Sequence, residues 1–188
     1  MSMLRLVGAT ALVLLLAGCG NGTRESAKPA EPTSTTPDCR PLTGRGGKSE
    51  PAVATSLLTS VKVEALQCAD RVVFGFRDNA GEPPGFTASY KPTSSAKIED
   101  GSGRSIEIAG SAFLVIRLNN VATAEISGEE VTPTYTGPRR LSAEGTRFVR
   151  EVVKTGDFEN VVTWVIGLDE RRPVTAKASG SQVVVDVG

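Results

Sequence analysis

Apolar and polar residues along this chain repeat mostly with period two, and the stretch that departs furthest from alternation is Val161-Val162-Thr163-Trp164-Val165-Ile166-Gly167-Leu168. In an extended strand Val161, Val165 and Gly167 face one way, and Val162, Trp164, Ile166 and Leu168 the other, so both faces are apolar and both need a cover. Similar runs at 71–76, 112–118 and 182–187 predict partner strands. From Thr59 onward Val61, Val63 and Ala65 alternate with Lys62 and Glu64, which predicts a half-buried strand; a short helix is expected just before it, over 50–58. Phe86, Ala88 and Tyr90 alternate inward, and a strand is expected over 105–108. Residues 174–179 and 182–187 read as a hairpin turned through Gly180. The pattern predicts an all-β domain, a β-sandwich of two packed sheets.

Two regions break the pattern. Between 119 and 143 small residues are scattered around Glu129-Glu130 and Thr134-Tyr135-Thr136-Gly137-Pro138-Arg139-Arg140. A connection this long in a small domain is commonly a binding segment. Tyr135, Arg139 and Arg140 are therefore the candidate ligand-binding residues, an aromatic face beside two guanidinium forks suited to sugar rings and carboxylates. The competing reading pairs the two arginines with Glu129, Glu130 or a strand edge. Trp164, at the middle of its apolar run, is expected in the core.

The second break is the N-terminal region. Residues 1–18 have a basic start at Arg5, an apolar stretch over 6–16 and the tetrad Leu16-Ala17-Gly18-Cys19. The apolar stretch is too short for a membrane span and fits an export signal. The tetrad resembles a bacterial lipobox, which implies lipidation of Cys19 and attachment to the extracytoplasmic face of the cell membrane. Residues 19–50, rich in Thr, Ser, Pro and Gly, read as a disordered tether, leaving 51–188 as the folded domain. The 19 residues between Cys19 and Cys39 span roughly 24 Å as a flexible coil. With Cys19 assigned to lipid, Cys39 and Cys68 remain as an even pair in an oxidising compartment, which predicts a disulfide.

Composition narrows the chemistry. The chain has 21 basic and 21 acidic residues, so no net field recruits nucleic acid. It contains no histidine, which removes the commonest general base, the commonest neutral metal ligand and every serine–histidine or cysteine–histidine nucleophile pair. The remaining carboxylates, Asp157 with Glu159, Asp169 with Glu170 and Glu129 with Glu130, read as turn and strand-end groups. No acidic spacing matches a calcium loop. Neither catalytic residues, nor a metal site, nor a cofactor is expected.

Several motifs together carry a resemblance: Asp70-Arg71-Val72-Val73-Phe74-Gly75-Phe76, Pro84-Gly85-Phe86, Gly110-Ser111-Ala112-Phe113-Leu114, Thr136-Gly137-Pro138-Arg139-Arg140, Thr155-Gly156-Asp157-Phe158 and Thr163-Trp164-Val165-Ile166-Gly167-Leu168. In this order they resemble the AMIN-like domain of exported lipoproteins of high-GC Gram-positive bacteria, over roughly residues 59–188. The closing Val183-Val184-Val185-Asp186-Val187 is similar to the last strand of AMIN domains proper. The resemblance implies a β-sandwich that binds peptidoglycan or a neighbouring envelope protein. An accessory lipoprotein that stabilises a membrane complex through an exposed sheet edge is the alternative.

Overall fold

Trp164 lies fully buried in the middle of a strand, Val161–Leu168, and every residue of that strand after the first is shielded from solvent. The computed structural model describes residues 39–49, 54–77 and 82–188. The expected signal peptide, Cys19 and the tether as far as residue 38 lie outside the described residues.

In chain order the strands are β1 (Arg45–Ser49), β2 (Ser56–Ala65), β3 (Asp70–Phe76), β4 (Gly85–Lys91), β5 (Ala112–Asn119), β6 (Val121–Ala122), β7 (Ala124–Ser127), β8 (Glu130–Pro133), β9 (Arg140–Ser142), β10 (Val149–Phe158), β11 (Val161–Leu168), β12 (Val174–Ser179) and β13 (Gln182–Val187). One turn of helix, α1 (Thr93–Ala96), lies between β4 and β5. Among the described residues eleven strands form a single sheet in the order β6-β2-β3-β13-β12-β1-β4-β5-β11-β10-β9, while β7 and β8 pair only with each other. The two packed sheets expected from the sequence are thus two halves of one curled ladder. Leu58, Phe74 and Val185 from one half meet Phe86, Ile116, Trp164 and Ile166 from the other. Phe74 and Trp164 make the central ring contact, with centroids 5.9 Å apart.

The seam between the halves is β1. It runs parallel to β12, with Arg45 opposite Val174, and antiparallel to β4, with Gly47 opposite Ala88. This corrects the sequence reading, which assigns residues 45–49 to the tether and starts the domain at 51. A strand can be recruited by backbone hydrogen bonds on both sides without any apolar side chain. Here side chains would obstruct: a Cβ at Gly46, whose φ is +136°, would lie 2.2 Å from the carbonyl oxygen of Ala88. The glycine content that reads as flexible is what admits the strand.

The outer face of β11 receives its cover from the segment between β4 and β5. Ala96 and Ile108 pack there on Phe113, Val115, Val153 and Val165. Gly167 lets the covering chain approach, since a Cβ at that position would fall 1.9 Å from the carbonyl oxygen of Ala109. Thr163 fastens the segment by donating to Asp100 at 2.7 Å. The strand expected over 105–108 is reduced to an isolated bridge between Ser105 and Ile98, because this chain serves as a lid over apolar side chains and not as a ladder member. The helix expected over 50–58 is also corrected in its described part, where Ser56, Leu57 and Leu58 open β2.

The sheet ends on short strands, β6 with two residues and β9 with three. Short edge strands of this kind limit edge-to-edge pairing. After Asn120, at φ 55°, the chain leaves β5 and crosses to pair with β2 as β6. The N–H of Val121 also donates to the carbonyl of Asn160 at 2.8 Å, which draws one end of the curled sheet against the turn between β10 and β11.

Candidate functional site

The connection that sequence reading left without elements contains the hairpin β7–β8 and the edge strand β9, with Tyr135 between them. Tyr135 is only 9% exposed, and its ring meets Trp164 edge to face at 5.6 Å and 88°. Its hydroxyl donates to the carbonyl of Pro138 at 2.8 Å, and burial pushes its titration up. The structure therefore puts Tyr135 in the core, not on the ligand face expected of it, because Gly137 and Pro138 fold the loop back over the ring.

Arg139 and Arg140 remain at the surface, on the outer side of the sheet. The Nε of Arg139 donates to the carbonyl of Lys154 at 2.8 Å, and its guanidinium pairs with Glu99. Arg140 donates to the carbonyl of Glu107 at 2.9 Å and pairs with Glu151 at 2.5 Å. Their partners are thus Glu99 and Glu151, not the Glu129 and Glu130 that neighbour them in sequence. Arg104 adds a third guanidinium, donating to Glu99 at 3.1 and 3.2 Å.

These groups line a groove of about 450 Å³ that is floored by Ile106 and Val153. A second depression of about 400 Å³ continues it past Glu99 and Arg139 to Lys154 and Asp157. Glu99 is the hub. It accepts from Ser102 at 2.6 Å and from Arg139 and Arg104, and these bonds hold its carboxyl down to about 2. A carboxylate ionised so far into acid has no proton to donate at neutral pH, so it is unsuited to general acid work. What the groove offers is recognition: a guanidinium has five N–H donors, and the ion pairs occupy only some of them. The side chains of Arg104, Arg139 and Arg140 keep 78%, 52% and 48% of their surface accessible. Residual donors above an apolar strip suit a carboxylate carried on a chain or ring with an apolar face.

Sequence reading missed Glu99, Arg104 and Lys154. Glu99 stands in the glycine-rich stretch Glu99-Asp100-Gly101-Ser102-Gly103, where the only local signal is the opposite charge of Arg104 five positions on. Trp164 is core as expected, and its indole N–H has no hydrogen-bond partner among the described residues. Cys39 and Cys68 are bridged, with Cα atoms 5.4 Å apart. Among the described residues no group of three or more acidic or cysteine side chains converges as a metal site.

One further surface stands out. On the hairpin β7–β8, Ile126 lies directly opposite Val131, and the two are 72% and 60% exposed. A family model described as AMIN-like domain matches residues 56–188. No curated protein and no solved structure matches the chain.

Proposed function

The chain belongs to the AMIN-like domain family, and from that premise we propose that it is a non-catalytic binding module of the cell envelope. In this reading the domain is lipid-anchored through Cys19 on the extracytoplasmic face of the cell membrane and recognises peptidoglycan. The observation that carries the reading is the groove formed by Glu99, Arg104, Arg139 and Arg140, in which three half-open or more exposed guanidinium groups stand over Ile106 and Val153. Stem peptides of the wall polymer carry the carboxylates that such forks bind in pairs.

The test is sedimentation of the full chain with purified sacculi. Arg139→Ala combined with Arg140→Ala is expected to weaken binding by about tenfold or more, the scale of losing one charge-assisted hydrogen bond. Because both arginine side chains are about half exposed, the melting temperature should move by only a few degrees. Undiminished binding moves the site elsewhere; collapse of the fold makes the arginines structural. For the anchor, fatty-acid labelling of the wild type and its loss in Cys19→Ser is the expected result, and an unlabelled chain with its leader attached refutes it.

A second reading rests on the hairpin. Two opposed, exposed aliphatic side chains on a two-stranded ribbon that pairs with no further strand among the described residues suit an added strand from an envelope protein. Crosslinking in intact cells, lost on Ile126→Asp with Val131→Lys while sacculus binding persists, is the result that favours it.

A further inference from the structure

By sequence Arg45 falls in the stretch read as tether and Arg171-Arg172 just after β11, so nothing in the sequence joins them. The fold does. Arg45 opens β1 directly opposite Val174, the residue after Pro173, and the carbonyl of Gly44 accepts the N–H of Val174 at 2.9 Å. Arg45, Tyr90, Arg171 and Arg172 thereby line one groove of about 500 Å³.

The groove is organised around Tyr90. Its hydroxyl donates to the carbonyl of Arg172 at 2.8 Å and accepts the N–H of the same residue at 3.1 Å, which fixes the ring against the 169–173 loop. Arg171 rests on that ring, its guanidinium carbon 4.8 Å from the centroid. Arg172 is already engaged: it holds Asp169 through two bonds of 3.1 and 2.8 Å, meets Glu170 at 2.8 Å and stacks on Phe148 at 4.4 Å. Asp169 and Glu170 are thus committed to Arg172, and Asp169 is also 3.8 Å from Arg150. Among the described residues Arg45 and Arg171 pair with no carboxylate. This separates the groove from the first one, where Arg104, Arg139 and Arg140 each have a glutamate.

We propose that this groove is a binding site for an oxyanion, a carboxylate or phosphate group, gripped between Arg45 and Arg171. Guanidinium forks match both groups geometrically, and the aromatic support holds one fork in place before the ligand arrives. The site does not depend on the peptidoglycan reading, since it uses other residues and is read with simple anions.

The test is a titration of the full chain with inorganic phosphate and, separately, with acetate, each against sodium chloride at matched ionic strength. The Nε–H resonances of Arg45 and Arg171 and the ring resonances of Tyr90 are followed by NMR. Saturable shifts of these groups are expected, whether or not Arg139 and Arg140 also respond to acetate. Saturation by phosphate alone assigns the source to phosphate-bearing polymers or headgroups, by acetate alone to carboxylate-bearing ones, and by both to the shared chemistry. Arg45→Gln and Arg171→Gln, at exposed side chains, should each weaken binding by about tenfold, the scale of one charge-assisted hydrogen bond. Equal shifts with chloride, or full binding in both variants, overturn the proposal.

Discussion

The carboxylate of Asp70, wholly shielded from solvent, accepts the backbone N–H of Phe148 at 2.6 Å across 78 residues of chain. The same oxygen accepts the N–H of Val149 at 2.9 Å and its partner oxygen that of Arg147 at 3.1 Å, so the start of β3 caps the start of β10. A buried anion is tolerable where several N–H groups converge on it. Asp70→Ala would orphan all three donors, at a cost of about 3 kcal/mol or more, while Asp70→Asn keeps one accepting oxygen and should cost about half as much. Urea unfolding midpoints check this, and two variants as stable as the wild type would refute it.

Glu99 should titrate near 2, far below its ordinary 4.5, because Ser102 and then Arg139 and Arg104 donate to its ionised form. The unfolded chain takes up the proton first on acidification. Glu99 therefore stabilises the fold fully above pH 4.5, and that contribution disappears as pH falls toward 2. In Glu99→Gln the loss of stability over this window should be smaller than in the wild type. Carbon-13 carboxyl titration provides the direct reading, and a midpoint at the ordinary value would sink the assignment.

Reduction of the Cys39–Cys68 bridge should lower stability by about 3.6 kcal/mol, the loop-entropy value for a closed segment of about 30 residues. Intact mass two daltons below the reduced form, as expected for one lost pair of thiol hydrogens, and a lower melting temperature on reduction are the checks. Two thiols that alkylate freely in native protein would contradict the structure.

Strands that bury one face or both were legible in the sequence. Val72, Phe74 and Phe76 alternate, the 161–168 run is apolar throughout, and Gly180 turns the last hairpin, so β3, β11, β12 and β13 fall where the pattern put them. The family match begins at Ser56, so β1 and Cys39 lie outside it although β1 is central to the sheet. β1 was illegible because its place is set by backbone pairing on both sides, which leaves no hydrophobic signature. The β7–β8 hairpin was illegible for the opposite reason: nearly all of it is exposed, so neither face repeats. The first groove was half legible. Arg139 and Arg140 were identified from their loop, but Glu99 lies 40 residues before Arg139, a distance over which no local pattern connects charges. Tyr135 went to the core because Trp164 offered an edge-to-face partner that only the folded chain reveals.

The bridge from Cys39 to Cys68 also decides how the domain transmits mechanical tension. A pull arriving from the N-terminal side of Cys39 passes through the sulfur atoms to the turn before β3, because the peptide between the cysteines cannot lengthen while they are joined. β1 and β2 sit inside that slack loop, so the short pairings of β1 are spared the strain that would peel them one hydrogen bond at a time. With the bridge opened, the same pull falls on β1 first, and the 29 residues of separation become available for extension, roughly 100 Å of extra reach.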